Sequence, residues 1–184
     1  MLKRGIDIIG ALLGFFLMFP LLFVGIIICG VDTKSSGLFL QKRIGQFGKP
    51  FTIFKLRTIH ASKKTISNWG KCARKYKVDE LPQLINVLIG DMSLVGPRPD
   101  IAGYYDKLTG EAKKILKLKP GLTSEAALKY ANEDTILAGQ TNPLAYNDDV
   151  IFPDKVQMNL AYYNNHSFLI DLKIIWKTIW LVFQ

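Results

Sequence analysis

Two adjacent acids, Asp79 and Glu80, open the stretch from Val78 to Pro99 and are the residues best suited to chemistry. A carboxylate can attack phosphorus, and neighbouring carboxylates can hold a divalent metal among bound phosphates. Taken singly, each acid has a plainer interpretation as a helix cap or a first-turn charge, because such acids are common at helix starts. What surrounds the pair therefore decides between the two interpretations.

The acid pair closes a long segment that carries only positive charge. Between Asp32 and Asp79 there is no Asp or Glu, and 12 of the chain's 24 Lys and Arg residues fall there. The whole chain has a net charge of +9. This excess indicates an anionic partner, which can be nucleic acid, an acidic membrane surface or a phosphorylated substrate. Paired acids among so many cations favour a site that handles phosphates.

Local patterns predict how the acids are positioned. Apolar residues at the helical spacing i, i+3, i+4, i+7 follow them, namely Leu81, Leu84, Ile85 and Leu88. The pattern predicts an amphipathic helix with Asp79 as its N-cap and Gly90 as its end. Both acids would then lie at the positive end of the helix dipole, where anions are stabilised.

Four cations are predicted to reach this site. The prolines that flank Arg98 restrict the backbone and leave its side chain ready for bidentate binding of an anion. Lys55 and Arg57 share one face of a strand, and that face is either solvated or turned toward the ligand of Asp79. Arg74 precedes Asp79 by five residues and can reach the same place.

The N-terminal part of the chain predicts a membrane segment. From Ile8 to Val31 there are 24 residues without a charge, more than the roughly 20 that cross a bilayer. Pro20 interrupts the run, and cations flank both ends, so the positive-inside rule gives no orientation. The residues leave two structures open, a spanning helix and a re-entrant hairpin that bends at Pro20. Asp7 is expected either to pair with Lys3 and Arg4 at headgroup level or to be a plain flanking charge.

The length of 184 residues fits a single domain, and two Cys and two His exclude a disulfide framework and make a zinc site very improbable. The remaining patterns predict a hairpin with strands at 38–40 and 51–57, a loop and helix over 61–76, short helices over 103–119, a helical turn at 133–138 and a helix over 167–183. The last of these either lies in a membrane interface or packs on the domain.

These motifs together resemble the bacterial sugar transferases, specifically the small monotopic phosphoglycosyl transferases. The matching segments cover nearly the whole chain in the family's order: KRGIDIIG with an apolar run and a proline, QKRIGQFGKPF, FKLRT, DELPQLINVLIGDMSLVGPRP, KPGLT and SFLIDLKIIWKT. The resemblance implies transfer of a phosphosugar from a UDP-sugar to undecaprenyl phosphate, with release of UMP, as the start of bacterial surface glycan synthesis.

The resemblance also implies roles for the residues. Asp79 would attack the phosphorus next to the sugar, and the lipid phosphate would then displace the resulting intermediate. Glu80, together with Asp79, would bind Mg²⁺. Lys55, Arg74 and Arg98 match the family's basic positions and would hold phosphates.

The implied fold is α+β and mostly helical. It has a re-entrant membrane hairpin over residues 1–33 with Pro20 at the bend. Residues 34–184 would form a compact catalytic domain with a small β-hairpin and interfacial amphipathic helices. The protein is expected on the cytoplasmic face of the bacterial inner membrane. Its expected partners are a UDP-sugar, a polyprenyl phosphate and membrane lipid, without nucleic acid, and a homodimer is allowed.

Two departures from the family pattern leave the sugar open. The segment SEAALKYANEDTILA replaces a Gly-Trp-containing one, and Asn159 stands where the family often has an acid.

Two other functions compete with the enzyme described above. One is a non-catalytic, membrane-anchored basic module that binds anionic lipid or nucleic acid, and the other is a conventional glycosyltransferase that releases UDP.

Overall fold

The computed structural model describes residues 2–182, which form a mostly helical α+β structure. Its α-helices are α1 (Leu2–Thr33), α2 (Asn68–Lys75), α3 (Gln83–Ile89), α4 (Glu125–Lys129), α5 (Glu133–Ala138), α6 (Pro143–Tyr146), α7 (Phe152–Asn165) and α8 (Phe168–Val182). Its strands are β1 (Leu38–Ile44), β2 (Pro50–Leu56), β3 (Ser93–Val95) and β4 (Gly121–Thr123). Short 3₁₀-helices cover Gln46–Gly48, Val78–Glu80, Tyr105–Lys107 and Gly110–Lys117, and a π-helix covers Asn147–Ile151.

Helix α1 is long and apolar enough to cross a membrane, and among residues 2–182 no other helix is. It continues through Pro20, so the predicted reversal of the chain at that residue stays a prediction. Its middle is exposed, with Leu17 at 72%. Both of its halves nevertheless contact the rest of the protein, because Gly14 lies beside Leu84 and Leu22 packs with Leu56.

The charged side chains at the start of α1 form hydrogen bonds with the rest of the domain rather than with one another. The Arg4 guanidinium donates to the carbonyls of Val87 (2.6 Å) and Leu88 (2.8 Å), where α3 ends. The buried Asp7 carboxylate accepts a hydrogen bond from Ser93 Oγ at 2.9 Å. Both sequence-based expectations for Asp7 were therefore wrong, since its partner is distant in sequence and lies in the domain.

Strands β1 and β2 form the predicted antiparallel hairpin, with Leu38 opposite Leu56 and Ile44 opposite Pro50. The buried Asn86 of α3 joins the hairpin edge. Its Oδ1 accepts a hydrogen bond from the Phe54 backbone N–H at 3.1 Å, and its Nδ2 donates to the Thr52 carbonyl at 2.7 Å. This amide therefore fixes α3 against β2.

Helix α3 begins at Gln83, and Gly90 ends it with a φ of 98°, as the sequence predicted. The prediction that Asp79 is the N-cap was wrong. Lys77 adopts a left-handed conformation with a φ of 55°, and the chain then makes the 3₁₀ turn Val78–Glu80 before α3 starts. Because this turn satisfies the nearby N–H groups with backbone carbonyls, the two carboxylates are left to face the site.

Helix α8 packs on the domain through a face that contains the buried residues Asp171 and Ile174. Lys3 Nζ pairs with Asp171 at 2.6 Å and so joins the two ends of the chain. The opposite face exposes Trp176 (69%) and Trp180 (61%). Packing on the domain and an apolar outer face thus occur together in one helix. Phe183, the last residue of the predicted helix, lies outside the described residues.

Candidate active site

A cavity of about 810 Å³ lies between the hairpin, α2, the turn that carries the acids, the loop that carries Arg98, and helices α4, α5 and α7. All six residues singled out from the sequence line it, namely Asp79, Glu80, Lys55, Arg57, Arg74 and Arg98. The structure therefore brings together side chains that span more than forty positions of sequence.

Asp79 is 7% exposed, and its Oδ1 is buried without a hydrogen-bond partner. Burial and the neighbouring Glu80 carboxylate raise its pKa from 3.8 to about 6, although the charges of Lys55 and Arg74 act in the opposite direction. Buried polar atoms normally have partners, so an orphaned carboxylate oxygen is a feature that needs a functional reason.

Glu80 is held by Arg98 through two hydrogen bonds. One joins Arg98 Nη1 to Oε2 at 3.0 Å, and the other joins Nη2 to Oε1; Lys55 Nζ lies 3.6 Å from Oε1. Burial alone would raise the pKa of Glu80, but the charge and hydrogen bonds of Arg98 outweigh it and lower the pKa to about 2. The environment thus separates the pKa values of the two adjacent acids. Glu80 is ionised throughout the usual pH range, whereas Asp79 gains or loses its proton near pH 6.

Arg98 still has donors to offer to a substrate. A guanidinium carries five N–H groups, of which Glu80 uses two, and the Arg98 side chain remains 40% exposed. Its pKa is raised mainly by Glu80, so it stays charged. Arg98 therefore both fixes Glu80 and presents positive charge to the cavity.

The loop that carries Arg98 is clamped against strand β4. Gly96 N donates to the Thr123 carbonyl at 3.0 Å, and Gly121 N donates to the Pro97 carbonyl at 2.8 Å. The two glycines lie back to back, because a Cβ on Gly121 would be only 2.1 Å from Gly96 N. This close approach of two backbones requires glycine and sets the position of Arg98.

We expect Gly121→Ala to destabilise the protein by about 2–4 kcal/mol, since the backbone must separate to admit the methyl group. Thermal unfolding of the purified variant would show this as a lower midpoint. Gly139→Ala is the matched control, because Gly139 has a φ of −82° and a Cβ there would be 3.5 Å from its nearest neighbour. Equal midpoints for both variants would contradict the proposed clamp.

The remaining predicted cations differ in how many of their nitrogens are already hydrogen-bonded to the protein. Arg74 Nε donates to Thr58 Oγ1 at 3.0 Å, and its Nη1 lies 4.0 Å from the exposed Asp134 carboxylate, beyond hydrogen-bond distance, so the terminal nitrogens can still bind a ligand in the cavity. Arg57 lies at the rim, where its Nε donates to the Ser36 carbonyl at 2.9 Å. Burial lowers the pKa of Lys55, which lies closest to the acids. Lys55, Arg74 and Arg98 are therefore better placed than Arg57 to bind phosphate.

The wall of the cavity on α4, α5 and α7 contains Asn159, which the sequence marked only as a departure from the family pattern, and further residues that sequence reasoning did not select. Asn159 Nδ2 donates to Tyr105 Oη at 2.8 Å, and both residues are buried. Glu133 and Lys155 form an ion pair at 2.6 Å. No local pattern marks these residues, because each partner lies more than twenty positions from the other.

The residues of the site suit a metal ion that binds together with a phosphorylated substrate. In residues 2–182, no group of three or more His, Cys, Asp or Glu side chains could hold a metal ion. The Asp79 carboxylate, which has no hydrogen-bond partner at Oδ1, is a suitable oxygen donor, and each Glu80 oxygen keeps a lone pair beyond the one that Arg98 uses. Mg²⁺ commonly uses one or two carboxylates and takes its other ligands from substrate phosphates and water. The donor set fits that mode of binding.

The Asp79 carboxylate, with one oxygen unpaired, lies among cations that suit an anionic ligand, and the elements that carry these residues pack against a helix apolar enough for a membrane. The chain belongs to the bacterial sugar transferase family, whose model matches residues 1–184. The resemblance inferred from the motifs is thereby confirmed, and the protein is a transferase.

Curated relatives include an uncharacterized sugar transferase EpsL of Bacillus subtilis, 31% identical over 97% of this chain and 85% of the relative. The UDP-glucose:undecaprenyl-phosphate glucose-1-phosphate transferase of Caulobacter vibrioides is 32% identical over 96% of this chain and 68% of its own length. A UDP-N-acetylgalactosamine-undecaprenyl-phosphate N-acetylgalactosaminephosphotransferase of Aeromonas hydrophila is 29% identical over 97% of this chain, which spans only 43% of that protein.

Proposed function

We propose that this transferase moves a phosphosugar from a UDP-sugar to undecaprenyl phosphate and releases UMP, thereby starting the synthesis of a bacterial surface glycan. The observation that carries the proposal is the Asp79 carboxylate, which lines a cavity together with Lys55, Arg74 and Arg98 and whose buried Oδ1 has no partner. The names of the Caulobacter and Aeromonas relatives, which specify this type of reaction, support it.

In the first step, a carboxylate oxygen of Asp79 attacks the phosphorus attached to the sugar. A bond forms between this oxygen and phosphorus, the bond from phosphorus to the bridging oxygen breaks, and UMP leaves with that oxygen. In the second step, an oxygen of the lipid phosphate attacks the same phosphorus and releases the Asp79 carboxylate. Lys55, Arg74 and the free donors of Arg98 hold phosphate oxygens and offset the charge of the transition state.

Asp79 and Glu80 would hold Mg²⁺ together with oxygens of the diphosphate. When bound, this ion offsets phosphate charge. Because Arg98 engages both Glu80 oxygens, Glu80 also has a positioning role without the metal. It keeps the guanidinium beside Asp79, ready for the incoming phosphate.

The contacts of α1 support a particular arrangement in the membrane. Gly14 and Leu22 lie on opposite sides of Pro20, and each contacts or packs against the same domain. The two ends of α1 are bound to this domain as well, Arg4 through the end of α3 and Cys29 through Leu56. Ends bound to one domain lie on one side of a bilayer, so we favour a re-entrant hairpin over 1–33 that buries its exposed apolar middle in lipid. The catalytic domain, 34–184, would then face the cytoplasm at the inner membrane, where a lipid phosphate can reach the cavity.

The raised pKa of Asp79 predicts the pH dependence of the reaction. A nucleophilic carboxylate must be ionised, so kcat/KM should rise with pH through about 6. The charge of Lys55 lowers the pKa of Asp79, and Lys55→Met should therefore move this limb to higher pH as well as slow the reaction. Rate profiles from pH 4.5 to 8.5 would measure it, with the exposed Lys113→Met as the control. An unmoved limb in Lys55→Met would rule out Asp79 as the group that titrates.

Nucleotide release tests the proposed function. Purified protein in detergent would be given undecaprenyl phosphate, Mg²⁺ and a panel of UDP-sugars. UMP from at least one sugar, lost on chelation of the metal, is the expected result. UDP would indicate a conventional glycosyltransferase instead. Turnover of none of the sugars, combined with retained binding to anionic vesicles, would favour the non-catalytic basic module.

A further inference from the structure

One wall of the cavity takes no part in the steps described above. It lies on α4, α5 and α7, and it includes Ala126, Tyr130, Glu133 and Lys155. The opposite wall is dominated by cations from β2, α2 and the Arg98 loop. The two walls therefore have different chemistry, and they should hold different parts of one substrate.

Glu133 is fixed within this wall. Lys155 Nζ donates to both of its carboxylate oxygens, at 2.7 and 2.6 Å. The two side chains are largely covered, with 28% of Glu133 and 17% of Lys155 exposed. Lys155 also lies 5.6 Å from the centre of the Tyr130 ring, and Tyr130 Oη donates to Asp154 at 2.7 Å. The carboxylate is thus preorganised at little further entropic cost.

The Glu133 oxygens keep acceptor capacity for a ligand. Each carboxylate oxygen has about two lone pairs, and Lys155 uses one on each. A carboxylate repels phosphate but accepts hydrogen bonds from hydroxyl and amide N–H groups. In a sugar nucleotide these donors are found on the sugar and on the uridine.

The position of Glu133 favours the sugar, rather than the uridine, as the group that donates hydrogen bonds to it. Asp134, the next residue along α5, lies 4.0 Å from Arg74 Nη1 on the cationic wall, so the start of α5 comes close to the groups that bind the phosphates. In the proposed reaction the sugar remains attached to the phosphorus that Asp79 attacks, whereas the uridine is one phosphate further away. The start of α5 meets the cations that bind the phosphates, and this part of the wall therefore faces the sugar.

We propose that Glu133, held by Lys155, accepts hydrogen bonds from the sugar hydroxyls of the donor and determines which UDP-sugar is used. This inference rests on the proposed function and adds the residue that selects its substrate. Tyr130 adds an aromatic face to the same wall, against which the apolar side of a sugar ring can pack. A site that hydrogen-bonds a hydroxyl discriminates strongly against a sugar that lacks it in that position.

The test compares Glu133→Gln with the wild type for a panel of UDP-sugars that includes the epimers UDP-glucose and UDP-galactose. We expect kcat/KM for the preferred sugar to fall about 10- to 100-fold and the preference among epimers to shrink. Inhibition by UMP, which has no sugar, should stay within about twofold. Glu111→Gln removes the same charge from the surface, where the side chain is 73% exposed, and should leave both quantities unchanged.

A charge swap separates recognition from folding. Glu133→Lys with Lys155→Glu keeps an ion pair but moves the carboxylate to α7, so the unfolding midpoint should recover while the sugar preference does not. Recovery of the preference in the swap, an equal loss for every sugar, or a matching loss of UMP inhibition would overturn the inference. Absence of UMP release from the wild type with any sugar would instead overturn the proposed function, and this inference with it.

Discussion

Asp79→Asn should lower the rate of UMP release by at least about a thousandfold, because an amide cannot form the bond to phosphorus. Binding of the donor should persist, since the cations that hold its phosphates remain. UMP release and UDP-sugar binding would be measured on the same preparation. Asp149→Asn is the matched control, because Asp149 is exposed and outside the cavity. A substantial rate in Asp79→Asn would eliminate this residue as the nucleophile.

The same variant should fold at least as stably as the wild type. The folded-state pKa of Asp79 is raised to about 6. An acid with a raised folded pKa costs stability once the pH exceeds its unfolded value, so at pH 7.5 the ionised Asp79 is unfavourable in the folded protein. Loss of activity with an unchanged or higher unfolding midpoint would mark a residue retained for chemistry. A large fall in the midpoint would show that the carboxylate supports the fold.

Arg98→Met should impair both the reaction and the fold. Activity is expected to fall about 100- to 1000-fold, because a charge that stabilises the transition state is lost. Stability should fall by about 2 kcal/mol, the cost of leaving Glu80 buried without its partner, reduced for the partial exposure of Arg98. Urea unfolding would measure this. Lys114→Met breaks an exposed pair with Glu111 and should not change the midpoint.

The stability deficit of Arg98→Met should depend on pH. In the wild type the pKa of Glu80 is lowered to about 2, so the stability it contributes is present above pH 4.5 and is lost as the pH falls toward 2. In the variant, burial favours the neutral acid. The difference between the two proteins should therefore be greatest near pH 7 and shrink below pH 4.5. Adding Glu80→Gln to the variant should restore part of the stability, and a deficit independent of pH would contradict the buried pair.

Much of this site could be predicted because its signals are local. Asp79 and Glu80 adjoin each other, and their charge contrast with the preceding segment is visible in the chain. The hairpin that carries Lys55 follows from alternation and a glycine-rich turn, and the end of α3 follows from Gly90. Each of these features depends on residues within a few positions of one another.

Other features could not be predicted because they depend on partners distant in sequence. Asp7 would have suited the membrane surface, yet Ser93, 86 positions away, binds it. Asp79 would have suited an N-cap, but the left-handed Lys77 inserts a turn before the helix. Glu133 and Lys155 carry no motif, and only the fold, which brings α5 and α7 into one wall of the cavity, pairs them.

The most direct test of the account is to supply the wild-type protein with a UDP-sugar labelled at the sugar phosphate and no lipid acceptor. Mass spectrometry of the intact and digested protein would then locate the label. We expect the added mass of one phosphosugar on the peptide that contains Asp79, its absence in Asp79→Asn, and its loss when undecaprenyl phosphate is added. An unlabelled protein that still releases UMP once the acceptor is present would contradict the account, because the lipid phosphate would then attack the donor directly.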